Sequence, residues 1–275
     1  MTAAPTAPSP GSAPGSSGSL DSFAPAPGAA PMRRMIAAQT VMETRMLLRN
    51  GEQLTVTMAI PLALLAMFSL EPLLSVGGGS RIDFLAPGII ALAVMSTAFT
   101  SQAIATGFER RYGVLKRLGA EPLSSTGLIS AKTASVILVE LLQAVLITAV
   151  ALGLSWHPHA SALAFLTVPL LVLAGTAAFS GLALLMAGTL RAEATLALAN
   201  LIYIALLGLG GVVFPLSKFP AAAHPYLTLL PTGALATGLR SVLAHSAGVP
   251  VRDLVVLVVW AAVGIGLAAR TFRWE

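Results

Sequence analysis

The 275-residue chain is 56% hydrophobic and only 10% charged, where a soluble domain carries roughly 25% charged residues. So few charges cannot solvate the surface of a soluble protein this size. The 16 Lys and Arg against 11 Asp and Glu leave +5, but the basic residues lie scattered between long apolar runs, which excludes a nucleic-acid surface. With no cysteine, disulfide scaffolds, thiolate metal sites and cysteine nucleophiles are excluded too. An all-α polytopic membrane protein remains.

Residues 1–31 come first in chain order. Ala, Pro, Ser, Gly and Thr fill all of these positions except Met1, Leu20, Asp21 and Phe23. Such a segment buries too little apolar surface to offset its ordering entropy, so a disordered tail is expected. It has neither the basic start nor the apolar core of a secretory signal.

Met32–Asn50 follows. On a helical wheel Arg34, Arg45 and Arg49 fall within roughly 60° of one another, with Met35, Met42 and Met46 in the adjoining sector. An interfacial helix with its arginines reaching lipid phosphate fits this pattern; a plain extension of the first span is the other reading.

Six segments then have about the 20 mostly apolar residues that a membrane-crossing helix needs: Leu54–Leu70, Leu85–Gly107, Thr133–Leu154, Ala162–Leu190, Thr195–Phe214 and Leu254–Ala269. Barrel strands would alternate polar and apolar positions instead. The fourth carries Pro169, Gly175 and Gly181, which predicts a tilt or a kink. With the amino terminus inside, 12 Lys and Arg lie on the inner side and 4 outside, so both termini are expected in the cytoplasm. Tyr226–Ala244 is apolar too, but Pro231, Gly233, Gly238 and Arg240 weaken a seventh helix. Tyr226–Ala244 therefore reads as two short re-entrant helices within a 215–251 outer region, which must be covered by protein.

The loop after the second span concentrates six charges in thirteen residues: Glu109, Arg110, Arg111, Lys116, Arg117 and Glu121. Val114, Leu115 and Leu118 recur at helical spacing and Pro122 stops the helix. A short amphipathic helix at the inner membrane face results, with apolar and charged sides for a partner. An ordinary positive-inside loop is the plainer alternative.

These elements resemble, in their order, the permeases of type-2 ATP-binding-cassette (ABC) exporters. That family has six spans and a charged E-R-E-x-G-T-L-type segment after the second. The matching positions here are Glu109, Arg110, Arg111, Tyr112, Gly113, Val114 and Leu115, followed by the family's Pro122-Leu123-Ser124 turn. Arg111 stands where an acid is common, and Val114 where Thr is common. The alanine-rich composition and this loop are similar to bacterial multidrug permeases of the daunorubicin-resistance type. The resemblance implies that Glu109–Leu118 (Glu109, Arg110, Arg111, Tyr112, Gly113, Val114, Leu115, Lys116, Arg117, Leu118) docks a separate ATPase subunit. It also implies a second permease copy, identical or not, and a place in the bacterial cell membrane. A drug, lipid or glycan precursor is the implied substrate.

The chain contains no Gly-Lys pair, so the phosphate-cradling G-x-x-x-x-G-K-[ST] loop is missing. No cofactor is expected on this chain; ATP and magnesium belong to the partner, and the chain is not itself expected to be an enzyme. Gly77-Gly78-Gly79 reads as a flexible outer connection. Glu140 is the one carboxylate well inside a span, with Gln143 on the same side at i+3. Twelve Leu, Ile and Val residues in Thr133–Leu154 contribute about −4 to −7 kcal/mol on insertion, more than the roughly +2.5 to +3.5 kcal/mol of a central acid. The pair is a candidate for the translocation pathway, as a cation or proton contact, and equally for a hydrogen-bonded strut between helices. His157, His159, His224 and His245 are loop residues without metal-site spacing. A proton-coupled secondary transporter centred on Glu140, or a lipid-modifying membrane enzyme, are the competing classes. Against them stand the lack of an internal repeat and of clustered polar catalytic groups.

Overall fold

The computed structural model describes residues 30–49, 51–70, 80–118, 124–159 and 161–271. Residues 1–29 of the expected tail, the Gly77–Gly79 run, and Glu121 with Pro122 and Leu123 lie outside the described residues.

Every regular element among the described residues is helical. Five stretches are long and apolar enough to cross a membrane: Arg81–Arg111, Gly127–Gly153, Ala164–Thr189, Ala192–Leu209 and Val251–Thr271. The chain is a multi-pass membrane protein. The remaining apolar helix, α2 (Gly51–Leu70), has a shorter described apolar part, Thr57–Leu70.

Helix α1 (Met32–Arg49) buries Gln39, Thr40 and Glu43 and exposes Met32, Val41, Met42, Met46 and Leu48. This polarity is inverted relative to a soluble helix. It suits a helix that turns its apolar side to lipid and its polar side to protein, because buried polar groups need partners. Its partner is α6 (Ser125–Gly153), whose first turn is capped by Ser124 Oγ accepting from the Gly127 amide at 3.1 Å.

The central element runs unbroken from Arg81 to Arg111: α3 (Arg81–Met95), a π-helical turn at Ser96–Ser101, and α4 (Gln102–Arg111). In its most apolar window 89% is buried, against 17% for the Ala192–Leu209 and Val251–Thr271 helices, so it is the helix the others surround. Its 31 residues are about 46 Å long at 1.5 Å per residue, well beyond the ~30 Å hydrocarbon layer. The charged end of α4 thus extends past the apolar zone. The expected second span, Leu85–Gly107, lies wholly inside it; the π-turn leaves no trace in apolar spacing.

Helices α7 (Ala164–Thr189) and α11 (Val251–Thr271) form the most extensive helix pair. Their backbones meet where Gly181 faces Gly264: a Cβ on Gly181 would sit 2.8 Å from the Ile265 nitrogen. Small residues permit such approach, and dispersion then holds the pair where lipid gives no hydrophobic drive. Gly175 likewise packs under Leu235. The two glycines expected to bend this helix both serve packing.

The fifth expected span, Thr195–Phe214, is shorter than anticipated. Helix α8 covers Ala192–Leu209, and Gly210–Phe214 is an irregular turn. Beyond it come two 3₁₀ turns (Leu216–Lys218, Ala221–Ala223) and then two short helices, α9 (His224–Leu227) and α10 (Pro231–Leu243). At 13 residues, α10 spans about 20 Å, too little to cross, and ten of its positions are buried. Arg240 fixes α10 to α3: its Nε donates to the Phe84 carbonyl at 2.9 Å and its Nη2 to the Val212 carbonyl at 2.8 Å. The guanidinium also lies 3.7 Å from the Phe84 ring centroid, a cation–π contact strengthened by desolvation.

Candidate functional site

The charged end of α4 gathers most of the residues singled out in the sequence. As the helix leaves the apolar zone its last turn carries Glu109, Arg110 and Arg111, each aimed at a different neighbour. Two basic residues in a final turn also suit the negative end of the helix dipole.

Glu109 points inward. Lys132 of α6 places Nζ 2.9 and 2.7 Å from its two carboxylate oxygens and 3.0 Å from Glu43 Oε1 of α1. Gln39 Nε2 donates to the same Glu43 oxygen at 2.9 Å. The side chains of Lys132, Glu43 and Glu109 are 7%, 8% and 17% exposed, so one ammonium bridges two largely desolvated carboxylates. A buried charge of this kind is tolerable only when paired and hydrogen-bonded.

Arg110 donates to the Leu190 carbonyl at the end of α7, where an orphan helix carbonyl needs a donor. Arg111 pairs with Glu193 in the first turn of α8. One helical turn therefore ties α4 to α1, α6, α7 and α8.

Tyr112 stacks loosely on Phe108, centroids 6.0 Å apart, and is 67% exposed. Gly113 takes φ +71°, a left-handed conformation that glycine adopts without strain, and reverses the chain into the five-residue α5 (Val114–Leu118). Val114, Lys116 and Arg117 are exposed on it. Glu109–Leu118 is thus two parts: an anchored end of α4, and a turn at residues 112–118 on which Tyr112, Val114, Lys116 and Arg117 are exposed.

Glu140 and Gln143 share one face of α6 but bond to different neighbours. Thr176 of α7 donates to Glu140 Oε2 at 2.6 Å. Gln143 Oε1 accepts from Thr97 of the π-turn at 2.9 Å, and its Nε2 donates to the Thr57 carbonyl of α2 at 3.2 Å. Both are almost fully buried, and Glu140 Oε1 has no hydrogen-bond partner among the described residues. Arg34, Arg45 and Arg49 are exposed on α1, away from its buried polar face. Among the described residues no three His, Asp or Glu side chains converge as a metal site.

Sequence reasoning missed Glu43, Lys132 and Arg240 as structural centres. Glu43 stands three turns into a helix read only for its arginines. Lys132 reads in the sequence as one more inner-side basic residue. The signal available was weak: single charges at the edges of apolar runs.

Residues 37–244, about three-quarters of the chain, match the family described as ABC-2 type transporter. The chain belongs to the ABC-2 type transporter family. It is the membrane domain, a permease component without catalytic activity of its own. The matched region of this ABC-2 permease begins within α1 and ends just after α10, so it includes every residue of the α4 harness. A comparison with curated proteins found no significant match. ABC-2 permeases generally pair with an ATPase subunit.

Proposed function

We propose that this permease forms the translocation pathway of an ATP-driven exporter and receives its ATPase subunit on the turn Tyr112–Leu118. One observation carries the reading: the turn exposes Tyr112, Val114, Lys116 and Arg117, while the residues directly before it are tied to four other helices. A push on Tyr112, Val114, Lys116 and Arg117 reaches α1, α6, α7 and α8 through one rigid helical turn. Glu109, Arg110 and Arg111 transmit the push and do not touch the ATPase.

In the same reading α2 is a sixth span and both termini face the cytoplasm, since that orientation puts the harness and most basic residues inside. Residues 215–251 are a re-entrant outer cover held by Arg240. Arg34, Arg45 and Arg49 meet lipid phosphate, and two permease copies enclose the pathway in a bacterial cell membrane. The substrate is hydrophobic or amphiphilic, a drug of the daunorubicin type or a lipid or glycan precursor. ATP and magnesium are held by the partner.

The test is the double variant Lys116→Glu, Arg117→Glu in the purified complex. ATPase capture by the permease falls, and transport per ATP falls with it. Unchanged capture and coupling would overturn the docking role. A proton-coupled carrier is the second reading, favoured by Glu140 Oε1, which has no hydrogen-bond partner among the described residues. Flux that persists without the ATPase and disappears in Glu140→Gln would establish it.

A further inference from the structure

A cavity of about 30 Å³ lies beside the charge cluster, walled by α1, the π-turn with α4, and α6. Its lining includes Glu43, Ser101, Gln102, Thr106, Lys132 and Ser135. Gln102 and Thr106 are 6% and 1% exposed. Both polar atoms of the Gln102 amide and the Thr106 hydroxyl find no hydrogen-bond partner among the described residues. Three such atoms on one face of α4, spaced i and i+4, are costly unless something in the cavity bonds them.

We infer that this cavity is a binding site for one or two structural water molecules that join Gln102 and Thr106 to the Glu43–Lys132–Glu109 cluster. The volume exceeds the roughly 10–15 Å³ that a single buried water needs, and polar atoms line it. The chemistry selects the ligand. Gln102 Nε2–H requires an acceptor and Gln102 Oε1 a donor, so the occupant must do both. A sodium or potassium ion accepts nothing and faces the Lys132 ammonium. Chloride donates nothing and faces the Glu43 carboxylate. Water meets both demands.

The site lies at the junction of the π-turn with α4. Beside the direct ion pairs of Lys132, the three helices therefore also meet through an exchangeable molecule. Such a joint lets α4 shift against α1 and α6 without leaving the amide unpaired.

The test uses the full chain in nanodiscs, with thermal unfolding as readout. Thr106→Val keeps the side chain's shape and removes the hydroxyl. A bridged hydroxyl gives a melting temperature lower by roughly 2–6 °C, whereas an unpaired hydroxyl in a dry cavity gives an unchanged or higher one. The latter overturns the inference. Gln102→Leu should likewise lower it. The double variant should lose less than the sum of the two, since both side chains bond the same water; additive losses overturn the bridging. Replacing sodium and potassium chloride by choline chloride at equal ionic strength should leave the midpoint unchanged, and a drop would assign a cation instead. Should either variant fail to fold, a wild-type map that resolves ordered water decides: density bonded to Gln102 supports the site, and its absence overturns it.

Discussion

Lys132→Met is the perturbation that bears most directly on the α4 harness. In the wild type one ammonium lies 2.7 to 3.0 Å from carboxylate oxygens of both Glu109 and Glu43. At an effective dielectric near 20, each contact is worth about 6 kcal/mol of Coulomb attraction, most of it offset by the desolvation of three ions. The methionine stem fills similar space, so packing is nearly conserved, but two carboxylates remain facing each other with no cation between them. Removing one partner of a buried ion pair costs about 3–5 kcal/mol, a midpoint shift on the order of 10 °C for a chain of this size. The assay is thermal unfolding of the purified permease, followed by helix content. Adding Glu43→Gln and Glu109→Gln to Lys132→Met should recover much of the loss, because the stranded charges are gone. A single variant as stable as the wild type, or a triple variant no better than the single, would refute the account of the cluster as a mutually compensated unit.

Gly181→Leu should separate α7 from α11, because even a Cβ there would lie 2.8 Å from the Ile265 nitrogen; crosslinking between cysteines introduced on the two helices should drop along with the melting midpoint. Arg240→Met leaves the Phe84 and Val212 carbonyls without their donor, at about 1–3 kcal/mol each. Protease access to the 215–251 region should rise accordingly, and Arg240→Lys, which lacks the planar fork, should rescue little. Glu140→Gln keeps an oxygen for the Thr176 hydroxyl, so its melting point should stay within about 3 °C of the wild type, while Thr176→Val, which removes the donor to a buried acid, should lower it more.

Run length made the helices legible, because backbone groups in lipid must bond within their own segment. Bounds of the long helices differ from expectation by up to eight residues where charged or polar flanks continue the helix, as residues 125–132 do ahead of the third expected span. The irregular turn after Leu209 was hidden because Val212, Val213 and Phe214 are as apolar as the helix before them. Within the candidate site, the charge density of residues 109–117 was visible, but its division was not. Whether Glu109 faces out or in depends on Lys132 and Glu43, the latter 66 positions upstream, and no local spacing encodes that pairing. Helical spacing did put Glu140 and Gln143 on one face; their separate partners on α7, the π-turn and α2 arise only from packing.

The Lys132 cluster also bears on how the chain is made. Both acids that neutralise this cation come from segments synthesised before it, so its counter-charges have already left the ribosome when the third apolar run emerges. A lone ammonium at the edge of a nascent hydrophobic segment would weigh against its insertion. Here the compensating carboxylates stand ready at the same depth. Both carboxylates thus lie upstream of the cation they neutralise, and reordering the segments would place the lysine ahead of its partners.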